Sequence, residues 1–230
     1  MYVLGIETSG PVCSVGLVDE EGVLAERAVR GLRRHSVRLM DLVAAVLDDA
    51  GIRLADLGGV AVGLGPGSFT GLRIGAAVAR TLAQVRDLPA AGIGTLDALA
   101  HPLGGRAGFI STVVTARRNE VYMALYRGGA EGPQRLFGPA ALTPGEVARH
   151  LGRLAETVVL VGDAAPRYYQ AWQAEMKGRL VLAPANLHFP RGAVVAEMGL
   201  VRLRRGEGGD PHLLLPVYVN APAIRLPGRD

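Results

Sequence analysis

Residues 65–75 read Gly-Pro-Gly-Ser-Phe-Thr-Gly-Leu-Arg-Ile-Gly, and this run constrains the fold more than any other stretch of the chain. It follows an apolar run, Val60-Ala61-Val62-Gly63-Leu64, and leads into an apolar periodic segment, residues 74–82. That order predicts a strand, a tight turn carrying Gly65, Gly67, Ser68 and Thr70, and a helix that starts near Gly71 and includes Gly75. Glycine admits the left-handed and crowded backbone positions that other residues resist. A helix N-terminus presents free N–H groups and the positive end of a dipole. The turn therefore has two readings: a cradle for an anion, or a seat for something packed very close. Without a second phosphate clamp or metal ligands, close packing is the stronger, with Gly67, Gly71 and Gly75 letting the helix lie against another chain.

The surrounding pattern is an alternation of strands and helices. Residues 2–9, 12–19 and 22–29 read as three short strands joined by Ser9-Gly10-Pro11 and Asp19-Glu20-Glu21-Gly22. A helix over 36–50 ends at Gly51, as a C′ glycine would end it. The strand at 60–64, the helix to about 85, a strand at 90–93 and a helix opening at Thr95 complete an α/β lobe with a mixed sheet. After a junction at 101–106 the pattern partly recurs, with strands at 109–115, 121–126 and 134–137. A helix over 144–151 has Thr143 as N-cap and Glu146 closing a capping box. A strand at 158–161, a helix after Gly162-Asp163 and a long helix over 192–204 follow. We expect two lobes, 1–103 and 104–230, with the apolar tail from 213 packing back on the first.

Several chemistries find little support. The five histidines, His35, His101, His150, His188 and His212, are scattered, with none three or four apart on a helix and no Cys/His cluster, so no metal site is expected. Ser68 lies in no Gly-x-Ser-x-Gly elbow. Cys13 sits in an apolar strand and reads as a small core residue. Net charge is +4, carried almost wholly by arginine since Lys177 is the one lysine; this permits contact with RNA without demanding it. Aromatic content of 5% argues against a stacking platform for single strands. No apolar run approaches the roughly 18 residues of a membrane span, and no signal-peptide pattern opens the chain, so a cytoplasmic protein is expected.

The end of the first strand carries Glu7-Thr8-Ser9. An acid and hydroxyls there are how the sugar-kinase, Hsp70 and actin superfamily handles phosphate and its metal; the plain alternative is a strand end capped by its own hydroxyls. A catalytic member needs a second clamp, an aspartate opening the second lobe, and Thr115 stands at that place. Gly162-Asp163-Ala164-Ala165 is a thin candidate for an adenine loop. The first-lobe helices are apolar over more than one stripe. Leu39, Val43, Val46 and Leu47 form a stripe that Val37, Met40 and Ala44 widen. Leu72, Ala76, Ala79 and Ala83 form another, beside Ile74, Val78, Leu82 and Val85. Such helices either meet a partner or lie sandwiched in their own fold.

Gly5-Ile6-Glu7-Thr8-Ser9, Cys13-Ser14-Val15-Gly16-Leu17, His35-Ser36, the 65–75 run, Ala116-Arg117-Arg118-Asn119-Glu120-Val121-Tyr122, Val161-Gly162-Asp163 and Pro216-Val217-Tyr218 occur in order. Together they resemble the bacterial TsaB (YeaZ) family, over essentially the whole chain. The resemblance implies a two-lobed actin-like ATPase fold of the ASKHA/RNase H-like type, α/β with mixed sheets flanked by helices. It implies a non-catalytic subunit of the apparatus that places threonylcarbamoyl on adenosine 37 of tRNAs reading codons that begin with A. The implied partners are the catalytic relative TsaD and the ATPase TsaE, with a homodimer when alone and tRNA met indirectly. Glu7, Thr8 and Ser9 would be a vestigial phosphate site, with no tightly bound cofactor or at most an adenine nucleotide at a subunit junction. The implied interface lies on the first-lobe helices, at Leu39, Met40, Val43, Leu72, Arg73, Ala76 and Ala79. Arg73 would reach a partner's carboxylate or a phosphate, or pair within its own lobe. A charge at Ala76 is then expected to disrupt association with TsaD and spare the fold. The enzyme readings that compete are a small ATPase or kinase using Glu7, Thr8 and Ser9, and, more remotely, a metalloprotease.

Overall fold

The computed structural model describes residues 1–31, 35–117 and 119–219; residues 32–34, Arg118 and residues 220–230 lie outside that description, as do the side chains of His35, Ser36 and Val37, and with them the His35-Ser36 motif. Two five-stranded mixed sheets form the frame. In the first, β1 (Tyr2–Glu7), β2 (Val12–Val18) and β3 (Val23–Arg30) run antiparallel, and β4 (Leu57–Gly63) and β5 (Ala90–Ile93) add in parallel. Strand order is β3-β2-β1-β4-β5. The second contains β6 (Gly108–Thr115), β7 (Val121–Gly128), β8 (Gln134–Leu142), β9 (Val158–Val161) and β10 (Leu180–Leu182), in the order β10-β9-β6-β7-β8. Counted from its own first strand, the second sheet repeats the order of the first.

Period-two alternation along β1 and β4 gives the first sheet two buried faces. Leu4, Ile6, Val60 and Val62 point toward α1 (His35–Ala50) and α2 (Phe69–Arg86), which bury Leu39, Val43, Val46, Ala79 and Leu82 against them. Val3, Val18, Ala61 and Ala91 point the other way, onto α6 (Gly192–Arg204) with its Val195, Ala196 and Leu200. Helix α3 (Thr95–Ala100) joins the lobes. Its Leu96 and Leu99 share one apolar cluster with Ile110, Val114, Tyr122 and Tyr126 of the second sheet. Helices α4 (Pro144–Gly152) and α5 (Ala165–Glu175) cover that sheet's outer face, with the expected capping box of Thr143 and Glu146.

Helix α6 departs from the expected division at residue 104. It follows the second sheet in sequence but packs on β1, β2, β4 and β5 of the first. The seat is made of small residues. A Cβ on Gly5 would collide with the Gly192 carbonyl and Ala196, and one on Gly16 with the backbone of Ala193. The signal was present as glycines in two otherwise apolar strands, where a bare position marks the close approach of another backbone. Two smaller differences concern strands. β8 continues through Gly138-Pro139, which read as its end, because Gly138 takes φ +86° and the pairing with β7 shifts register there. β10, only three residues long, went unpredicted. The tail does return to the first lobe: Leu214 is buried, and the Val217 N–H donates to the Leu64 carbonyl at 2.8 Å.

Candidate functional site at the cleft between the lobes

Strand β1 delivers Glu7, Thr8 and Ser9 to its C-terminal end, all three buried, and the glycine run closes over them. The Thr8 hydroxyl donates to the Gly71 carbonyl at 2.7 Å. The Ser68 N–H donates to the Ser9 carbonyl at 2.7 Å, and Ser68 Oγ, the N-cap of α2, accepts from the Gly71 N–H at 3.2 Å. A Cβ on Gly67 would strike Ser9, one on Gly71 the Thr8 carbonyl oxygen, and one on Gly75 the Thr8 hydroxyl. Gly65 takes φ +105°, and its carbonyl accepts the Thr95 N–H at 2.9 Å. Thr70 stands exposed on the first turn of α2. Close packing is thus what the glycines provide, but the thing packed is this chain's own β1. That corrects the expectation of a second chain.

Glu7 is not placed to hold a hydrated metal ion. Its side chain is wholly buried against Gly63, Oε1 accepts the Ser9 N–H, and Oε2 has no partner among the described residues. Burial raises its pKa above the ordinary carboxylate value, and the hydrogen bonds from Ser9 only partly oppose this. The same burial, with the Glu7 charge nearby, pushes the Cys13 thiol up to about 11, so that sulfur is a core atom and not a nucleophile. A carboxyl whose pKa is raised on folding contributes full stability below its unfolded pKa and loses that contribution as pH rises through the folded value. Glu7→Gln is therefore expected to raise stability at neutral pH by about 1 kcal/mol or more. The gain should vanish as the buffer is taken below the ordinary carboxylate pKa. Denaturant unfolding at both pH values checks it, and a gain that survives in acid would contradict the burial account.

Across from β1 lies a cavity of about 440 Å³, lined by Ser9, Gly67, Phe69, Arg117, Tyr122 and Asp163 among others. It continues inward to a chamber of about 30 Å³ that also touches Thr95, Val114 and His188. Asp163 Oδ1 accepts the Thr115 N–H at 2.8 Å, tying the β6 end to the loop after β9. His188 Nδ1 accepts the Gly162 N–H at 3.3 Å, and burial lowers its pKa. Tyr218 closes one side, its ring centroid 5.3 Å from that of Phe69. Arg73 lies over Phe69 at 3.8 Å and donates to the Tyr218 hydroxyl at 3.3 Å, so it pairs within its own chain. Among the described residues no three His, Cys, Asp or Glu side chains come together as a metal site.

The expected interface residues are corrected in part. Leu39, Val43, Leu72, Ala76 and Ala79 face the sheet and are buried, so none of them can touch a partner. The helical stripe was legible, but the more uniformly apolar side belongs to the core. The apolar side chains that α1 and α2 present outward are Met40, 49% exposed, with Ala44 and Ala77, the half-buried Ile74 and Val78, and Val85 at 71%, set among exposed charged residues such as Asp41 and Arg73. Of the cleft residues, Thr95 reads in the sequence only as a helix start, Tyr218 only as part of the docking tail, and His188 only as one of the scattered histidines. Their signal was tertiary, since three distant segments meet there.

Comparison with known proteins places the chain. The family model described as TsaD, tRNA N6-adenosine threonylcarbamoyltransferase, matches residues 19–201. A Bacillus subtilis (strain 168) protein named tRNA threonylcarbamoyladenosine biosynthesis protein TsaB is 30% identical over 219 residues, 95% of this chain and 94% of that one. The solved structure described as YeaZ from Pseudomonas aeruginosa superposes with a TM-score of 0.77 at 29% identity, covering 94% of this chain and 99% of that one. An ROK hexokinase from Thermus thermophilus, at 15% identity and a TM-score of 0.51 over 86% and 99% of the two chains, shares the fold alone. The two-lobed actin-like fold class expected from the resemblance is the one present.

Proposed function

The chain belongs to the TsaB family, and from that premise we propose that it is the non-catalytic supporting subunit of the assembly that makes threonylcarbamoyladenosine in tRNA. In this reading it acts at adenosine 37 of tRNAs reading codons that begin with A, holding TsaD in a competent state with TsaE, and meets tRNA only through the assembly. The observation that supports a supporting role is where the would-be phosphate groups are directed. The Thr8 hydroxyl bonds Gly71, the α2 N-terminus is capped by its own Ser68, and Glu7 is buried beneath both. On the facing lobe Thr115 replaces the expected acid, and Asp163 already holds the Thr115 N–H.

The outward face of α1 and α2 is the partner surface in this proposal, used by TsaD in the assembly and by a second copy when the chain is alone. An adenine nucleotide, where one is present, sits at a subunit junction rather than in this chain's own cleft. Reconstitution with TsaD, TsaE and the adenylate-forming enzyme tests the reading. Modified tRNA is expected only when this chain is present, and Met40→Glu, an exposed change, is expected to weaken co-purification with TsaD at least about tenfold. Sustained ATP hydrolysis by the isolated chain, abolished by Glu7→Gln, would favour the kinase-like reading instead.

A further inference from the structure

Strand β3 closes one end of the first sheet and pairs only with β2, so its outer side is an open edge. The Gly31 N–H donates to the Pro11 carbonyl at 3.0 Å, and at the turn of the hairpin the Asp19 N–H donates to the Gly22 carbonyl at 3.0 Å. Antiparallel strands alternate between hydrogen-bonded and non-hydrogen-bonded residue pairs. Val12 stands opposite Arg30, Ser14 opposite Ala28 and Gly16 opposite Glu26. Counted from Gly31, the N–H and C=O groups of Glu26, Ala28 and Arg30 therefore point away from β2, and no hydrogen bond meets them among the described residues. Charged side chains usually guard such an edge, but here they are drawn onto the faces of the sheet. Arg27 pairs with Asp49 on α1, Glu26 accepts from Arg191 and the Ala193 N–H, and Arg30 lies over the Phe189 ring at 5.3 Å. Ala28, small and exposed, sits between them. A groove of about 670 Å³ between β3 and α1, lined by Ala28, Val29, Leu42 and Ala45 among others, leaves room beside it.

An open row of peptide groups is satisfied by another extended backbone, and the charges on β3 select which one. We propose that β3 pairs antiparallel with β3 of a second copy of this chain about a two-fold axis at Ala28, joining the two five-stranded first sheets across that axis. Ala28 then lies opposite its counterpart, and Glu26 of each copy lies opposite Arg30 of the other. Each of these pairs exchanges both of its N–H to C=O bonds. Opposite charges directly across a strand pair stabilise it, and like charges oppose it. Centred on Glu26, Arg27 or Arg30, the same pairing would set like charges against each other. Centred on Val29, it would bring no opposite-charge pair. The contact is isologous, so it closes at two copies. The edge is a different surface from the outward face of α1 and α2, and the inference does not rest on the assembly role.

Sedimentation equilibrium of the full chain, from about 10 µM to about 1 mM, is expected to show a reversible dimer with a Kd of about 100 µM or tighter. Amide exchange at Ala28 and Arg30 should slow at least about tenfold in step with dimer formation, because in the monomer those N–H groups face solvent. Ala28→Pro removes an N–H that β2 does not use, a change an edge strand tolerates. Ala28→Lys sets two like charges at the axis. Each should weaken the dimer at least about tenfold with the unfolding midpoint unchanged. Should Ala28→Pro fold poorly, Ala28→Lys at the same exposed position carries the prediction. Met40→Glu, on the outward helix face, should leave this pairing intact. A chain that stays monomeric at the highest concentration, a dimer of parental strength in both Ala28 variants, or exchange at Ala28 and Arg30 that ignores concentration would overturn the pairing. Dimerisation lost in Met40→Glu but kept in the Ala28 variants would overturn it in favour of the helix face.

Discussion

Replacing Ala76 by glutamate is expected to unfold the chain, whereas the same change one residue on, at Ala77, leaves the fold intact and breaks assembly. Ala76 has no exposed surface and lies on the side of α2 that faces the sheet, while Ala77 stands in solvent. A glutamate at Ala76 must either bury a charge without a partner or push α2 away from the sheet, at a cost of several kcal/mol. Total stability of a domain is only about 5–15 kcal/mol. At Ala77 the fold should change by no more than about 0.5 kcal/mol, but the new charge falls on the outward side of α2, on the helix that carries the half-buried Ile74 and Val78 and the exposed Val85. Urea unfolding of both variants, with co-purification against TsaD, reads the two effects separately. An Ala76→Glu protein as stable as the parent would mean that α2 does not pack as described.

Gly16→Val is expected to destabilise the chain by about 3 kcal/mol or more, the upper range for overpacking a rigid interior. A Cβ there would collide with the backbone nitrogen of Ala193 on α6. Backbone cannot rotate away as a side chain can, so either β2 or the helix has to shift. The neighbouring bonds would be strained with it, since Ser14 Oγ accepts the Gly192 N–H at 3.0 Å and Glu26 Oε1 accepts the Ala193 N–H at 3.0 Å. Hydrogen exchange should report the loss first in α6 and then in the first sheet. Protection of α6 equal to the parent would refute the close seat.

These two variants mark the boundary of what could be read from the residues. Element order was legible because periodicity and punctuation are local: the capping box at Thr143 and the glycine run at 65–71 both name their own positions. The direction a helix faces was not, because α2 is apolar on more than one side. Ala76 and Ala79 are small, and small residues suit a tight contact of either kind. The seat of α6 was written as single glycines at 5 and 16, which carry meaning only once the helix arriving from far along the chain is known. The cleft was half legible. Thr115 marked a missing clamp, yet Ser9 and Thr95, which line the same chamber, are 86 residues apart in sequence, and only the fold brings them together.

The return of α6 to the first sheet also sets an order of events during synthesis. Strand β5 ends at Ile93, and α6 is complete only at Arg204. At about 5–20 residues per second, the ribosome supplies that helix on the order of ten seconds after the sheet it covers. During that interval one apolar face of the sheet, with the bare backbone at Gly5 and Gly16, stands open on the nascent chain. A chaperone that shields apolar strands is expected to bind ribosome-held chains cut before residue 192 and to release those that extend past it.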